Sequence, residues 1–311
     1  MMSLLINPVD SRDALYDALY TGDLVLFTEV TAAQTLADHM RLRLEELFAP
    51  HAPQTAHEHF DPPTMAQMLG QWKPAFIHDP ESKRLVRDMI RELGFDPDLT
   101  YYDVPKPRTA FPVGHLSTGI ALAFPWHRDT WYGAPAAQIN WWLPVYGTTP
   151  ENGMRFALDR FAEPVTNNSG EFDYFQANRD RLTTAKQVKR ETQVRPEALD
   201  TALPDPLVPV LQPGAVLLFS GAHLHGSIPN KSAVARYSID FRTVDRRHIE
   251  KRQGAPMHDV ACTGTSIRDF VQVADGERIE EELVAEIYGP APDGAIVVFD
   301  AETASRAAQG L

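Results

Sequence analysis

Two stretches restrict the fold more than anything else in the chain. Across residues 138–146 the side chains alternate. Gln138, Asn140 and Trp142 fall on one side of an extended strand, and Ile139, Trp141, Leu143 and Val145 on the other. Residues 234–244 repeat the period, with Arg236, Ser238, Asp240 and Arg242 opposed to Ala235, Tyr237, Ile239 and Phe241. Strands that are polar on one face and apolar on the other build a sheet packed on one side only. A barrel whose outer wall is covered by helices, and whose inside is a wet cavity, meets that requirement. The run 215–219 is apolar throughout, which predicts a strand buried on both faces.

The remaining segments supply the cover. Helices are predicted over residues 11–20 with Ser11 as N-cap, from Thr31 as cap to about Phe48, and over 81–93 with Gly94 as the stop. A short strand is predicted over 24–27, and further strands over 100–104, 119–124 and 208–211. The segment 148–203 reads as an insertion, about 160–205 in extent, lying over the barrel mouth and helical within 172–190. A last helix over 279–288 and a strand over 295–299 follow. The chain is therefore read as a single domain over 1–311. Residues 1–99 are helical support, 100–245 the β core, and 246–311 an extension.

Composition narrows the class. With 43% hydrophobic and 23% charged residues, the chain is expected to bury a core. A net charge of -13, from 42 acids against 29 bases, disfavours nucleic acid as a partner. Cys262 is the only cysteine, so no internal disulfide and no thiolate metal site can form. No run reaches membrane-spanning length and no signal-like run opens the chain, so no membrane partner and a cytoplasmic location are expected.

His127-Arg128-Asp129 carries the chemistry. Two residues apart on an extended segment, His127 and Asp129 project to one side. Converging with one further imidazole from residues 223–225, they make three ligands on one face of a metal. The opposite positions stay open, as in non-haem Fe(II) oxygenases. His51, His57 and His59 are weaker metal candidates in irregular, proline-rich sequence. Arg236 lies 11 residues after His225. Its guanidinium either pairs with Asp240 on the same face or meets a ligand carboxylate. A 2-keto dicarboxylate spanning metal and arginine has the shape of 2-oxoglutarate.

The sequence resembles the phytanoyl-CoA dioxygenase-like branch of the Fe(II)/2-oxoglutarate-dependent oxygenases. The resemblance covers about residues 100–245. It lies in His127-Arg128-Asp129, in Trp142-Leu143-Pro144 with Glu151-Asn152-Gly153-Met154-Arg155, and in His225-Gly226-Ser227-Ile228-Pro229-Asn230 with Arg236. The last matches the family's His-x-Ser-x-Pro-Asn and selects His225 over His223. The chain departs from the family at Leu158-Asp159-Arg160-Phe161, where a Pro-Gly-Ser-His stretch is usual.

The resemblance implies a double-stranded β-helix, or jelly roll, with N-terminal helices packed on the major sheet. It implies Fe(II) on His127, Asp129 and His225, and 2-oxoglutarate held by Arg236 with Ser227. O2 is the co-reactant, and succinate and CO2 are released. Halogenases of the superfamily lack the carboxylate ligand, so Asp129 points to hydroxylation or oxidative ring closure instead. Trp131, Tyr132, Asn140 and Trp142 are the expected substrate contacts, with Trp141 in the core. The small-molecule substrate is expected to be glycosidic, as for oxygenases of orthosomycin and aminoglycoside biosynthesis. Two alternatives stand beside this reading. One is a zinc hydrolase on the same three ligands, and the other a non-catalytic jelly-roll sugar-binding protein.

Overall fold

The computed structural model describes residues 2–8, 11–112, 115, 124–183, 194–200 and 205–295. In chain order the elements are β1 (Leu4–Ile6), α1 (Arg12–Thr21), β2 (Leu24–Phe27), α2 (Thr31–Phe48), α3 (Pro62–His78), α4 (Pro80–Glu92), β3 (Thr100–Tyr102), β4 (Lys106–Ala110) and β5 (Ile139–Pro144). They continue as β6 (Met154–Phe156), α5 (Tyr174–Thr183), β7 (Val216–Ser220), β8 (His225–Ser227), β9 (Arg236–Asp245), α6 (Arg246–Glu250), β10 (Val271–Gln272) and α7 (Glu281–Tyr288).

The larger sheet runs β1-β2-β7-β5-β9-β3-β10, with β4 also paired to β9; the smaller pairs β6 with β8. Phe156 on β6 meets Phe219 on β7 with ring centroids 5.0 Å apart, so the sheets face each other. This is the expected double-stranded β-helix. β5 sits between β7 and β9, and its parity fixes both surfaces. Ile139, Trp141, Leu143 and Val145 join Leu36, Met40, Leu44, Phe76 and Met89 of the helices in one apolar cluster. Trp141 is fully buried, stacks on Phe241 at 5.1 Å, and donates its indole N–H to Thr243 Oγ1 at 2.8 Å. β7 is buried on both faces as predicted. Val216 and Leu218 pack toward the helices, while Leu217 and Phe219 pack between the sheets with Trp142, Met154 and Phe156. Among the described residues the interior is thus apolar at the β7 side and charged along β4 and β9, not wet throughout.

Several local expectations need correction. The strands expected at 119–124 and 295–299 fall, except for Phe124 and Ala295, outside the described residues. Residues 208–211 form no strand; Leu211 is tied to Thr148 by Leu211 N donating to Thr148 Oγ1 at 2.9 Å and by Thr148 N donating to Leu211 O at 2.9 Å. The helix α3 starts on an Asp61 cap that accepts from Thr64 N at 2.8 Å, followed by prolines that need no donor there. Of the insertion, α5 is described, and residues 184–193 and 201–204 are not.

Thr31 does not cap α2. The Glu92 carboxylate at the end of α4 accepts from Thr31 N at 2.8 Å and Ala32 N at 2.7 Å, a negative charge on the positive end of a helix. Glu92→Ala should therefore cost about 1 kcal/mol of stability in urea denaturation, with metal affinity unchanged.

Candidate metal centre

His127 and His225 arrive side by side because their backbones pair. His127 N donates to His225 O at 2.8 Å and His225 N to His127 O at 2.9 Å. The ring centroids lie 4.3 Å apart. The close approach uses Gly226, where a Cβ would stand 2.8 Å from Pro125 O and 3.1 Å from Phe124 O. Between the ligands, Arg128 is extended at φ -113° and ψ 141°, so its side chain points away from those of His127 and Asp129. Asp129 then opens a single 3-10 turn, Asp129–Tyr132, closed by Gly133 at φ 82°.

Arg128 is buried. Its guanidinium donates to Ala222 O at 2.7 Å, Phe161 O at 3.0 Å, Arg160 O at 2.6 Å and Glu163 O at 2.7 Å. Its Nε lies 3.2 Å from Asp259 Oδ2.

Carbonyl oxygens set both imidazole tautomers. His127 Nδ1 lies 2.9 Å from Pro125 O, and His225 Nδ1 lies 2.9 Å from His223 O. A carbonyl only accepts, so each Nδ1 carries the proton and each Nε2 presents a lone pair. These Nε2 atoms stand 3.5 Å and 3.9 Å from Asp129 Oδ1. Ligand atoms of the three residues all lie within 4.8 Å of one another, and among the described residues this is the one such group of His, Cys, Asp or Glu side chains. Two neutral imidazoles and one carboxylate at this spacing fit a single divalent first-row metal with an open face. Burial, with the neighbouring His127, pushes His225 down to about 3, so the ring is neutral at working pH. Burial alone would raise the Asp129 carboxyl. The positive charge of Arg242 opposes this, and Asp129 is held well below the usual carboxylate range.

The outer oxygen of Asp129 is held separately. Oδ2 accepts from Gln138 Nε2 at 3.1 Å and lies 3.6 Å from Arg242 Nε. Arg242 is itself anchored on Asp103, 3.2 Å from Nη1 to Oδ2. With Oδ2 occupied, Oδ1 is left for the metal.

Arg236 is buried on the interior face of β9. Asp240 is not its partner, because Arg108 grips both Asp240 oxygens, at 2.5 Å and 3.0 Å. Arg236 donates to Ser238 Oγ at 3.3 Å and lies over the Trp142 ring at 5.6 Å, and its Nε has no acceptor among the described residues. Burial pushes the Arg236 guanidinium down to about 10, against the pull of Asp240, so it stays charged at neutral pH. Lys73 on α3 joins this group; desolvation and then Arg108, opposed by Asp240, bring its amine to about 7.

The expected substrate contacts separate. Trp131 is fully buried, donates to Asp259 Oδ1 at 2.9 Å and packs with Ala157, Val165 and Leu224, so it faces no ligand space. Tyr132 stands edge-on to His127 at 5.6 Å, with its hydroxyl on Pro196 O at 2.8 Å. Trp142 takes the interior face, as parity predicts, but at the Arg236 end. Asn140 is interior and accepts from Gln138 Nε2 at 2.8 Å. Ser227 lies on β8, two residues past His225. His51 and His59 stack on each other at 3.8 Å, and His57 lies 5.6 Å from His115; none joins the group of three. Gln138 and Arg242 went unassigned although strand parity had put both on the polar face. For Lys73, 54 residues before His127, no sequence signal exists.

His223 is a different histidine. Its Nε2 lies 3.1 Å from Gly22 O and its Nδ1 3.2 Å from Ser220 O, and burial pushes it down to about 4. Calorimetric titration with Mn(II) should show binding lost in His225→Ala and kept in His223→Ala. The latter should instead lose about 1–3 kcal/mol of stability, because a buried carbonyl loses its ring N–H donor.

No family model matches the sequence, and no curated protein matches it. Among solved structures, the chain is similar to EvdO2 from Micromonospora carbonacea var. aurantiaca, at 14% identity and TM-score 0.46, with 78% of this chain and 93% of that one covered. EvdO2 has also been solved with 2-oxoglutarate. ThoJ, a non-haem monooxygenase in complex with Ni, is similar at 12% identity and TM-score 0.45, covering 95% and 94% of the two chains. SnoN, a non-haem α-ketoglutarate-dependent epimerase from nogalamycin biosynthesis, is similar at 12% identity and TM-score 0.41, covering 76% and 84%.

Proposed function

We propose that this chain is an Fe(II)- and 2-oxoglutarate-dependent oxygenase acting on a small polar molecule. One observation carries the reading. Three convergent ligands with preset tautomers, with Asp129 held by Gln138 and Arg242, stand beside the face of β9 that also carries Arg236, a buried arginine with no carboxylate partner among the described residues. A metal site alone would serve a zinc hydrolase equally well. The arginine is what a hydrolase leaves without a use, because an unmatched buried charge is costly.

In this reading His127, Asp129 and His225 hold the metal, and Arg236, with Ser227, takes the distal carboxylate of the cosubstrate. Trp142 supplies a flat wall beneath that guanidinium. Gln138 and Arg242 keep Asp129 from turning its second oxygen to the metal. When bound, Fe(II) with 2-oxoglutarate and O2 supplies oxidative decarboxylation to succinate and CO2, and the oxidising power to remove hydrogen from an unactivated C–H bond. Phe124 and Tyr132 flank His127 with aromatic surface, at 5.3 Å and 5.6 Å. Such rings suit the apolar faces of a sugar, and a sugar-containing natural product is the substrate we favour. A polyhydroxylated substrate holds a neighbouring hydroxyl close to the oxidised carbon, which favours ring closure over hydroxylation.

Two measurements test this. Fe(II) and 2-oxoglutarate added without oxygen should give a visible charge-transfer band. In Arg236→Ala that band should need at least about tenfold more 2-oxoglutarate, with metal affinity unchanged. An unaltered 2-oxoglutarate requirement refutes the arginine's role, and no band in the wild type refutes the cosubstrate. For the substrate, mass spectrometry after turnover of sugar-containing antibiotic precursors should show loss of two hydrogens. An added oxygen would establish hydroxylation instead, and a chlorine would overturn the role of Asp129.

A further inference from the structure

On the interior face next to Asp129, two buried amides leave over one donor, Asn140 Nδ2, and one acceptor, Gln138 Oε1. Gln138 and Asn140 are 1% and 4% exposed. Their orientations follow from the carboxylate. An ionised Asp129 only accepts, so the Gln138 group at 3.1 Å from its Oδ2 is the NH2. That same Nε2 also lies 2.8 Å from Asn140, which must therefore present its Oδ1. The Asn140 Nδ2 donor is left pointing elsewhere, and it has no acceptor among the described residues. Its cross-strand neighbours are Arg242 and Phe219, a donor and a hydrocarbon, so neither can accept from it. A buried amide donor without an acceptor is a defect that a native structure keeps only where something else supplies the oxygen.

The position of Asn140 says which oxygen. Gln138, Asn140 and Trp142 follow one another at two-residue steps of about 6.6–6.8 Å. Gln138 holds the metal carboxylate and Trp142 lies under Arg236. A dicarboxylate with one end at the metal and the other on Arg236 passes Asn140 at its metal-proximal end. We propose that Asn140 Nδ2 donates a hydrogen bond to the C1 carboxylate of bound 2-oxoglutarate, fixing which way the keto acid lies on the metal. The role is one of cosubstrate positioning rather than the substrate contact expected from sequence, and it rests on the oxygenase reading above.

Calorimetry on the full chain loaded with Mn(II) tests it, using 2-oxoglutarate and oxalate as probes. Oxalate has the metal-proximal end and is too short to reach Arg236. In Asn140→Leu, Mn(II) affinity should stay within about twofold, while 2-oxoglutarate and oxalate should each bind about tenfold more weakly. Arg236→Ala should weaken 2-oxoglutarate and leave oxalate unchanged. Asn140→Val, which also lacks the donor and suits a strand, gives the same comparison if the leucine variant does not fold. Oxalate binding unchanged in the Asn140 variants overturns the proposal. So does a fall in Mn(II) affinity that accounts for the loss, since Asn140 would then act through Gln138 on Asp129. A wild type that binds Mn(II) but not 2-oxoglutarate overturns the oxygenase reading itself.

Discussion

The metal-ligand geometry depends on a charge that never touches the metal. Arg128 stands between two ligands and points the other way, into a pocket of four carbonyl oxygens and Asp259. A buried guanidinium is tolerable only with such partners, so each fixes something. Ala222 belongs to the loop that delivers His225, and Arg160, Phe161 and Glu163 belong to the loop that follows β6. Asp259 also accepts from Trp131 and from Val165 N at 2.9 Å. Three separate loops are thereby referenced to the residue whose neighbours on either side belong to the candidate metal group.

The interior of the barrel divides its labour by strand. The β7 side is filled by Leu217 and Phe219 against Met154 and Phe156, which holds the two sheets together. The β4 and β9 side carries alternating charge, with Arg108 on Asp240 and with Lys106 and Arg242 on Asp103. With Arg108 on Asp240, Arg236 has no carboxylate partner among the described residues.

What could be read from the sequence was what short-range periodicity encodes. β5 and β9 announce themselves through parity, and parity put Trp141 in the core and Trp142 inside the barrel. β4 does not: Lys106-Pro107-Arg108 has poor strand propensity, and it is a strand because β9 offers it a ladder and Asp240 takes its arginine. The three residues of the candidate metal group were legible as a motif, but the partners of Asp129 were not. Gln138 and Arg242 reach Asp129 through tertiary placement. Lys73 comes from a helix whose prolines, at its start and at position 74, disguised it. Trp131 directly follows the motif, and the 3-10 turn packs it against Ala157, Val165 and Leu224.

The pairing of His127 with His225 has a thermodynamic side. The two imidazoles come from adjacent backbones that are 98 residues apart in sequence, and between them the chain crosses both sheets and the whole insertion. An ion bound by both closes that loop as a cross-link would, and it binds only where the strands are already paired. Folding and metal uptake are then linked equilibria. At a free ion concentration a hundred times its dissociation constant, the paired state gains about 2.7 kcal/mol. The free concentration of a metal held by these two imidazoles would then set the durability of the fold.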